Sequence, residues 1–181
     1  MPARRRAVRI TARAPIARRW IILRVALVAR GGASLSPPPG RDLLASTTHT
    51  FAELATAIDR AFARWDRSHL HEFRLSDGRV IGMADTDEFR DDENEIDESR
   101  MTLGAAELGV GDSFEYLFDF GDGWEHRCTV LRGDADPIEE YGRMPHEIVP
   151  IFGWGVLPDQ YGRTRPDSAD DEDMDAVDQD G

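Results

Sequence analysis

His69 and His71 stand one residue apart in His69-Leu70-His71-Glu72-Phe73-Arg74-Leu75. That run alternates like a strand, so both imidazoles leave the same face. A third imidazole, His126, follows Asp119 and Asp122 in the stretch Phe114 to Leu131, FEYLFDFGDGWEHRCTVL. Three nitrogen ligands with one open position are how catalytic zinc is held. If the two stretches lie in one sheet and these faces coincide, His69, His71 and His126 could bind a divalent metal, with Asp119 or Asp122 as base. The plainer reading makes His126 a partly buried core histidine, bonded to Asp122 or to a backbone carbonyl. His69 and His71 then sit at the sheet margin, and Asp119 and Asp122 brace a turn, because Asp bonds its own following backbone. The plainer reading is preferred, so no cofactor is expected, with a divalent metal as the alternative.

A hairpin must position these groups. Phe114, Tyr116, Phe118 and Phe120 alternate with Glu115, Leu117 and Asp119, and Trp124, His126, Cys128 and Val130 alternate with Glu125, Arg127 and Thr129. A two-residue Asp-Gly turn would pair Phe120 with Glu125 and Phe118 with Arg127, mixing charge with apolar surface. A three-residue loop, Gly121-Asp122-Gly123, pairs Phe120 with Trp124, Phe118 with His126, Tyr116 with Cys128 and Phe114 with Val130. One face is then nearly all apolar. A one-residue slip would flip every side chain, so this second register is the one expected. Gly123 supplies the left-handed residue that such a loop needs. His126 thereby faces the same side as Phe118.

The same stretch carries a resemblance. YLFDFGDGWEH is similar to the signature Y-x-(Y or F)-D-F-G-D-x-W-x-H of the plasmid pRiA4b ORF-3-like family. Upstream, TFAELATAIDRAFARWDRSHLHEF resembles the helix followed by H-L-x-x-F that precedes the signature there. The resemblance implies an α+β domain, often encoded on plasmids and mobile elements, and no established reaction. Some members carry a Cys-containing, Gly-rich segment after the signature; this chain has no Cys there.

Other chemistries are excluded by what is missing. Asp119-Phe120-Gly121 spells a kinase metal-binding triplet, but the chain has no lysine, no Gly-rich phosphate loop and no His-Arg-Asp loop. It also lacks a Walker A motif, a dinucleotide glycine fingerprint and G-x-S-x-G.

Charge is distributed unevenly. Residues 1–41 hold ten Arg and no acid, whereas the rest holds twelve Arg against the 35 acids. The body should repel nucleic acid and anionic membranes, and only the basic arm over residues 1–19 could bind nucleic acid. The single cysteine, Cys128, allows no intrachain disulfide and no Cys-rich zinc site, which fits a reducing cytoplasm. Its alternation with Trp124 and Val130 points to packing rather than reactivity. No run approaches the roughly 20 apolar residues of a transmembrane helix. Arg18-Arg19-Trp20-Ile21-Ile22-Leu23 superficially resembles a twin-arginine signal, but Arg24 and Arg30 interrupt the apolar segment. A cytoplasmic protein without membrane association is expected.

The remaining elements follow in order. Trp20 to Val28 reads as a strand and Asp42 to His49 as a weaker one, separated by the Pro/Gly loop Gly31 to Gly40. Thr50-x-x-Glu53 fits a capping box, and Phe51, Leu54, Ile58, Phe62 and Trp65 recur at helical spacing to an end near Trp65-Asp66. Asp77-Gly78 marks a hairpin turn, with the return over Arg79 to Met83. The acid-rich tract Asp85 to Glu98 reads as a loop. Gly133 to Pro150 reads as loop with one irregular helix. Pro150 to Arg163, dense in Gly, Pro and aromatics, should wrap the core irregularly with Phe152, Trp154 and Tyr161 as anchors.

Together these give an α+β fold: a single domain with a mixed or antiparallel sheet and one main amphipathic helix on one face. It spans residues 20–165, between a disordered basic arm (1–19) and a disordered acidic tail (166–181). The expected function is a non-catalytic interaction module with a protein partner. Its binding residues are Asp119, Asp122, Trp124, His126 and Trp154, with an aromatic groove near Trp124 and Trp154. A metal enzyme using His69, His71 and His126, and nucleic-acid binding by the arm, are the alternatives.

Overall fold

The β-branched and aromatic run expected to open the domain does so as β1, Trp20–Arg30, which becomes the spine of the sheet. The computed structural model describes residues 18–83 and 95–162. Of the basic arm, only Arg18 and Arg19 are described. Arg18 lies over the Trp20 ring, 5.2 Å from its centre, and the Arg19 N–H donates to Thr47 Oγ1 at 3.0 Å. The acidic tail, residues 163–165 of the expected domain and residues 85–94 of the acidic tract lie outside the described residues.

After β1 come β2 (Ala33–Ser34), β3 (Gly40–Ser46), α1 (Phe51–Ala61), β4 (His71–Leu75), β5 (Val80–Gly82) and β6 (Glu95–Asp97). Then follow β7 (Ser113–Phe118), β8 (Trp124–Arg132), α2 (Pro137–Tyr141) and β9 (Val149–Trp154). All the strands form one sheet in the order β6-β5-β4-β7-β8-β1-β3-β9, with β2 paired to β1. Every pairing is antiparallel except β5 with β6. The domain is therefore mostly sheet rather than a balanced mixture of sheet and helix.

One face of the sheet is apolar. Leu23, Val25 and Leu27 of β1, Phe73 of β4, Tyr116 and Phe118 of β7, and Trp124 and Cys128 of β8 are wholly buried on it. Helix α1 covers this face with Phe51, Leu54 and Ile58, and Phe62 follows at its C-cap. Burying each such side chain contributes about 1.5–3 kcal/mol. The capping box forms as expected. The Glu53 N–H donates to Thr50 Oγ1 at 3.2 Å, and the Thr50 N–H donates to Glu53 Oε2 at 2.7 Å.

The helix stops earlier than its apolar spacing suggests. Ala63 takes a left-handed φ of 56°. The Ala63 N–H donates to the Arg60 carbonyl at 3.1 Å, and the Arg64 N–H reaches back to the Asp59 carbonyl at 2.7 Å. That is the Schellman closure of a helix, made here without glycine. The chain turns away at once, so Trp65 leaves the core and is 57% exposed.

The central hairpin forms, two residues out of the expected register. Phe118 pairs with Trp124, Tyr116 with His126, and Phe114 with Cys128. The cause is Asp119, which takes a left-handed φ of 56° and ends β7 early. Its side-chain Oδ1 accepts the N–H of Gly121 at 3.0 Å and of Asp122 at 3.2 Å, and its carbonyl accepts the Gly123 N–H at 2.7 Å. A two-residue shift preserves which face each side chain occupies. His126 and Phe118 thus share the buried face as expected, but Phe120 is lifted into the loop and is 45% exposed.

Three stretches expected to be irregular contain strands, the Pro/Gly loop contributing β2. Glu95–Asp97 of the acidic tract adds to the sheet as β6. Val149–Trp154 pairs with β3 at the opposite end of the sheet, where a strand bonds on one side only and tolerates Pro150. Phe152 is exposed there and anchors nothing in the core. Trp154 lies over Gly40 beneath the Arg24 guanidinium, 5.0 Å away, and its indole N–H donates to the Pro38 carbonyl at 2.9 Å. Arg24 alternates with the buried Leu23 and Val25, so this is the outer face. Trp124 is on the inner one, and the expected groove shared by the two tryptophans is absent. No helix among the described residues is long and apolar enough to cross a membrane.

Candidate functional site

The sheet order β4-β7-β8 brings the histidine faces together, as a shared site requires, yet the imidazoles do not meet. Tyr116 of β7 stands between them, with ring centres 5.6 Å from His71 and 5.5 Å from His126. His126 is buried, with Nδ1 3.3 Å from the Tyr116 carbonyl and its ring edge-on to Phe62 at 4.8 Å. Burial, reinforced by the nearby Arg64 charge, pushes its pKa down to about 3, so it is neutral. His71 Nε2 lies 2.8 Å from Glu98 Oε2. Burial lowers the His71 pKa, but the bond and charge of Glu98 outweigh it, so the net shift is upward. His69 precedes β4, with Nδ1 3.3 Å from Asp119 Oδ2 and Nε2 3.6 Å from Asp66 Oδ2. Each histidine thus answers to a different oxygen. Among the described residues, no group of three or more His, Cys, Asp or Glu side chains could hold a metal ion. The ligand set His69, His71 and His126 does not fit a shared metal.

The structure instead gathers four chain segments at the loop end of the hairpin: the exit of α1, the start of β4, the Asp119–Gly123 loop and residues 159–161. At the surface, Asp66 Oδ2 accepts the Tyr161 hydroxyl at 2.7 Å, and Asp66 Oδ1 accepts the Ser68 hydroxyl at 2.7 Å. Those bonds, Ser68 foremost, hold the Asp66 carboxyl down near a pKa of about 2, so it stays ionised. His69 bridges Asp66 and Asp119, with Nε2 3.4 Å from the Tyr161 hydroxyl. Asp122 faces Arg30 at 3.7 Å. Around this knot Trp65, Leu70, Phe120 and Tyr161 are all exposed, with Trp65 and Tyr161 edge to face at 4.9 Å.

Beneath the knot lies Trp124. The Arg64 guanidinium carbon stands over it, 3.6 Å from the ring centre, and that of Arg30 stands 4.2 Å from the same centre. Residues 159–161 strap this layer down. Gln160 is buried; its Oε1 accepts the N–H groups of Trp65 at 3.1 Å and Asp66 at 3.2 Å, and its Nε2 donates to the Asp66 carbonyl at 2.8 Å. Arg30 donates to the carbonyls of Asp159 at 3.4 Å and Gln160 at 3.2 Å. Deeper still, the Tyr116 hydroxyl donates to Asp59 Oδ1 at 2.9 Å. Burial raises the Asp59 pKa to about 6 against the opposing pull of that bond. Burial likewise pushes the Cys128 thiol well above its ordinary range.

Of the residues singled out from the sequence, Asp119 and Asp122 lie at this surface, Trp124 and His126 lie beneath it, and Trp154 is on the far face. Arg30, Arg64, Asp66 and Gln160 were not singled out, and Tyr161 was expected only as an anchor of the C-terminal segment. Their roles depend on how the helix exit and the C-terminal segment fold back, and no local spacing announces that.

Residues 32–146 match the family described as plasmid pRiA4b ORF-3-like protein. A stretch of 93 residues is 41% identical to the uncharacterized protein y4hQ of Sinorhizobium fredii, covering 47% of this chain and 46% of that one. The chain thus spans just under half the length of this curated relative. In structure it is similar to a protein of unknown function from Methanosarcina mazei Go1. The TM-score is 0.51 at 19% identity, over 74% of this chain and 62% of the other, which is a likeness of fold. The chain belongs to the plasmid pRiA4b ORF-3-like family.

Proposed function

We propose that the chain is a non-catalytic binding module that takes a basic segment of a partner protein at the loop end of its central hairpin. The observation that carries this reading is the exposed Trp65–Tyr161 ring pair set beside the carboxylates of Asp66 and Asp119. An ammonium or guanidinium over an exposed aromatic face gains about 0.5–1 kcal/mol, and neighbouring carboxylates complement its charge. Exposed apolar rings rimmed by charge are a common mark of an interaction surface. The formal net charge of -13 steers cationic partners toward the domain and repels polyanions.

Apart from His69, the side chains best suited to chemistry are withdrawn from that surface. His126, Cys128 and Asp59 are buried, and His71 is tied to Glu98. His69 is at the surface, shared between two carboxylates. In this reading Asp119 and Asp122 serve binding at the surface, and Trp124 and His126 support the site from below.

Selection of displayed random peptides on the immobilised protein tests the reading. Enriched peptides should pair Arg or Lys with an aromatic or apolar neighbour and bind less well as salt rises. Trp65→Ala or Asp66→Asn should weaken them by about tenfold, equivalent to roughly 1.4 kcal/mol. Enrichment without basic residues, or binding indifferent to both substitutions, would refute it.

A further inference from the structure

We infer that a buried oxyanion-binding site lies beneath this surface, centred on the guanidinium of Arg64. The inference is independent of the partner surface above it. Arg64 is 3% exposed, and among the described residues its Nε, Nη1 and Nη2 all lack a hydrogen-bond partner. The indole N–H of Trp124, the ring it stands over, also lacks an acceptor. A guanidinium carries five N–H donors in a planar fork and accepts nothing. Buried polar groups are bonded in the great majority of cases, so one side chain with all three nitrogens unpaired has donors to offer an acceptor from outside the chain.

The surroundings say what the acceptor must be. A second guanidinium, Arg30, lies against the same indole. The nearest acids do not bond to Arg64: Asp59 is engaged by the Tyr116 hydroxyl, and Asp159 contributes charge without a hydrogen bond to the guanidinium. Arg30 is already matched by Asp122 and by the Asp159 and Gln160 carbonyls, whereas Arg64 keeps all its donors open, and the group that suits them is anionic and rich in acceptor oxygens. A phosphate or a carboxylate meets that description, and the guanidinium fork matches two oxygens of either. Entry runs through the strap. The Gln160 side chain clamps it to the backbone of Trp65 and Asp66, the two residues that follow Arg64 in the chain.

The test uses the full chain at constant ionic strength, with chloride replaced stepwise by inorganic phosphate or by acetate. The thermal midpoint and the Arg64 side-chain Nε–H resonance are followed. Phosphate, acetate or both should raise the midpoint saturably and shift that resonance, and the stronger arm identifies the source of the oxyanion. The saturable rise should vanish in Arg64→Met. It should persist, reached at lower anion concentration, in Gln160→Ala, where the strap is loosened. Asp119→Asn impairs the partner surface without touching Arg64, so an unchanged anion response there separates the two proposals. An Arg64→Met response equal to wild type would overturn the inference. So would the lack of any saturable effect in both wild type and Gln160→Ala.

Discussion

Arg64 stands 3.6 Å over the indole of Trp124, and neither the guanidinium nor the indole N–H has an acceptor among the described residues. A desolvated charge without hydrogen bonds costs several kcal/mol, and apolar replacements of similar volume at such positions are often neutral or stabilising. Burial already draws the Arg64 pKa down to about 10. In chloride buffer, Arg64→Met should therefore raise stability by about 1–3 kcal/mol, read from urea denaturation. A clear loss of stability would mean that the guanidinium is satisfied in solution.

Asp59 and His126 set opposing pH dependences. The folded pKa of Asp59 is raised to about 6, so its favourable contribution is complete below its ordinary value and is lost as pH climbs through 6. The folded pKa of His126 is depressed to about 3, so the unfolded chain takes up that proton first and stability falls with acidification from about 6.5 towards 3. Between these limits the two slopes partly cancel. Asp59→Asn keeps an acceptor for the Tyr116 hydroxyl and removes one slope. Relative to wild type it should gain about 1–1.5 kcal/mol between about pH 5 and about pH 7.5. A difference that stays flat across this range would mean that Asp59 is ionised throughout.

Cys128 should be inert in the folded protein. It is wholly buried between strand neighbours, and burial raises its thiol far from the reactive thiolate form. Reaction with a disulfide reagent should proceed only at the rate of global unfolding and accelerate with urea in step with the loss of structure. Rapid modification in native buffer would contradict the packing.

How much of this was legible depended on whether a residue's own type dictated its backbone. Thr50 and Glu53 announced the start of α1, because a capping box is local chemistry. The alternation from Phe114 to Val130 fixed which side chains face the core, because a strand has a period of two. The end of α1 was hidden, since Ala63 takes a left-handed conformation that usually advertises itself as glycine. The hairpin register was hidden likewise by Asp119. The alternation also put the three histidines on one side, and rightly for His71 and His126. Only the order of β4, β7 and β8 reveals that Tyr116 intervenes. Glu98, the partner of His71, came from a tract whose charge reads as solvated loop, and Gln160 came from a tail with no period at all.

Gly40 offers a test of the outer face. A Cβ there would overlap the Trp154 ring and approach the Val25 carbonyl oxygen to 2.7 Å. The ring can swing aside, but the Val25 oxygen belongs to the sheet backbone and cannot. Gly40→Ala should thus cost about 1–3 kcal/mol by overpacking and should free Trp154 from the Pro38 carbonyl and from Arg24. Tryptophan emission would shift toward that of a solvated indole. Gly32→Ala is the control: its added Cβ meets nothing within 4 Å, and only its φ of 77° is strained. Adding Trp154→Ala to Gly40→Ala should recover the part due to the ring and leave the part due to Val25. The coupling between the two substitutions should be at least about 0.5 kcal/mol in a double-mutant cycle. Strict additivity would mean that Trp154 does not rest on Gly40.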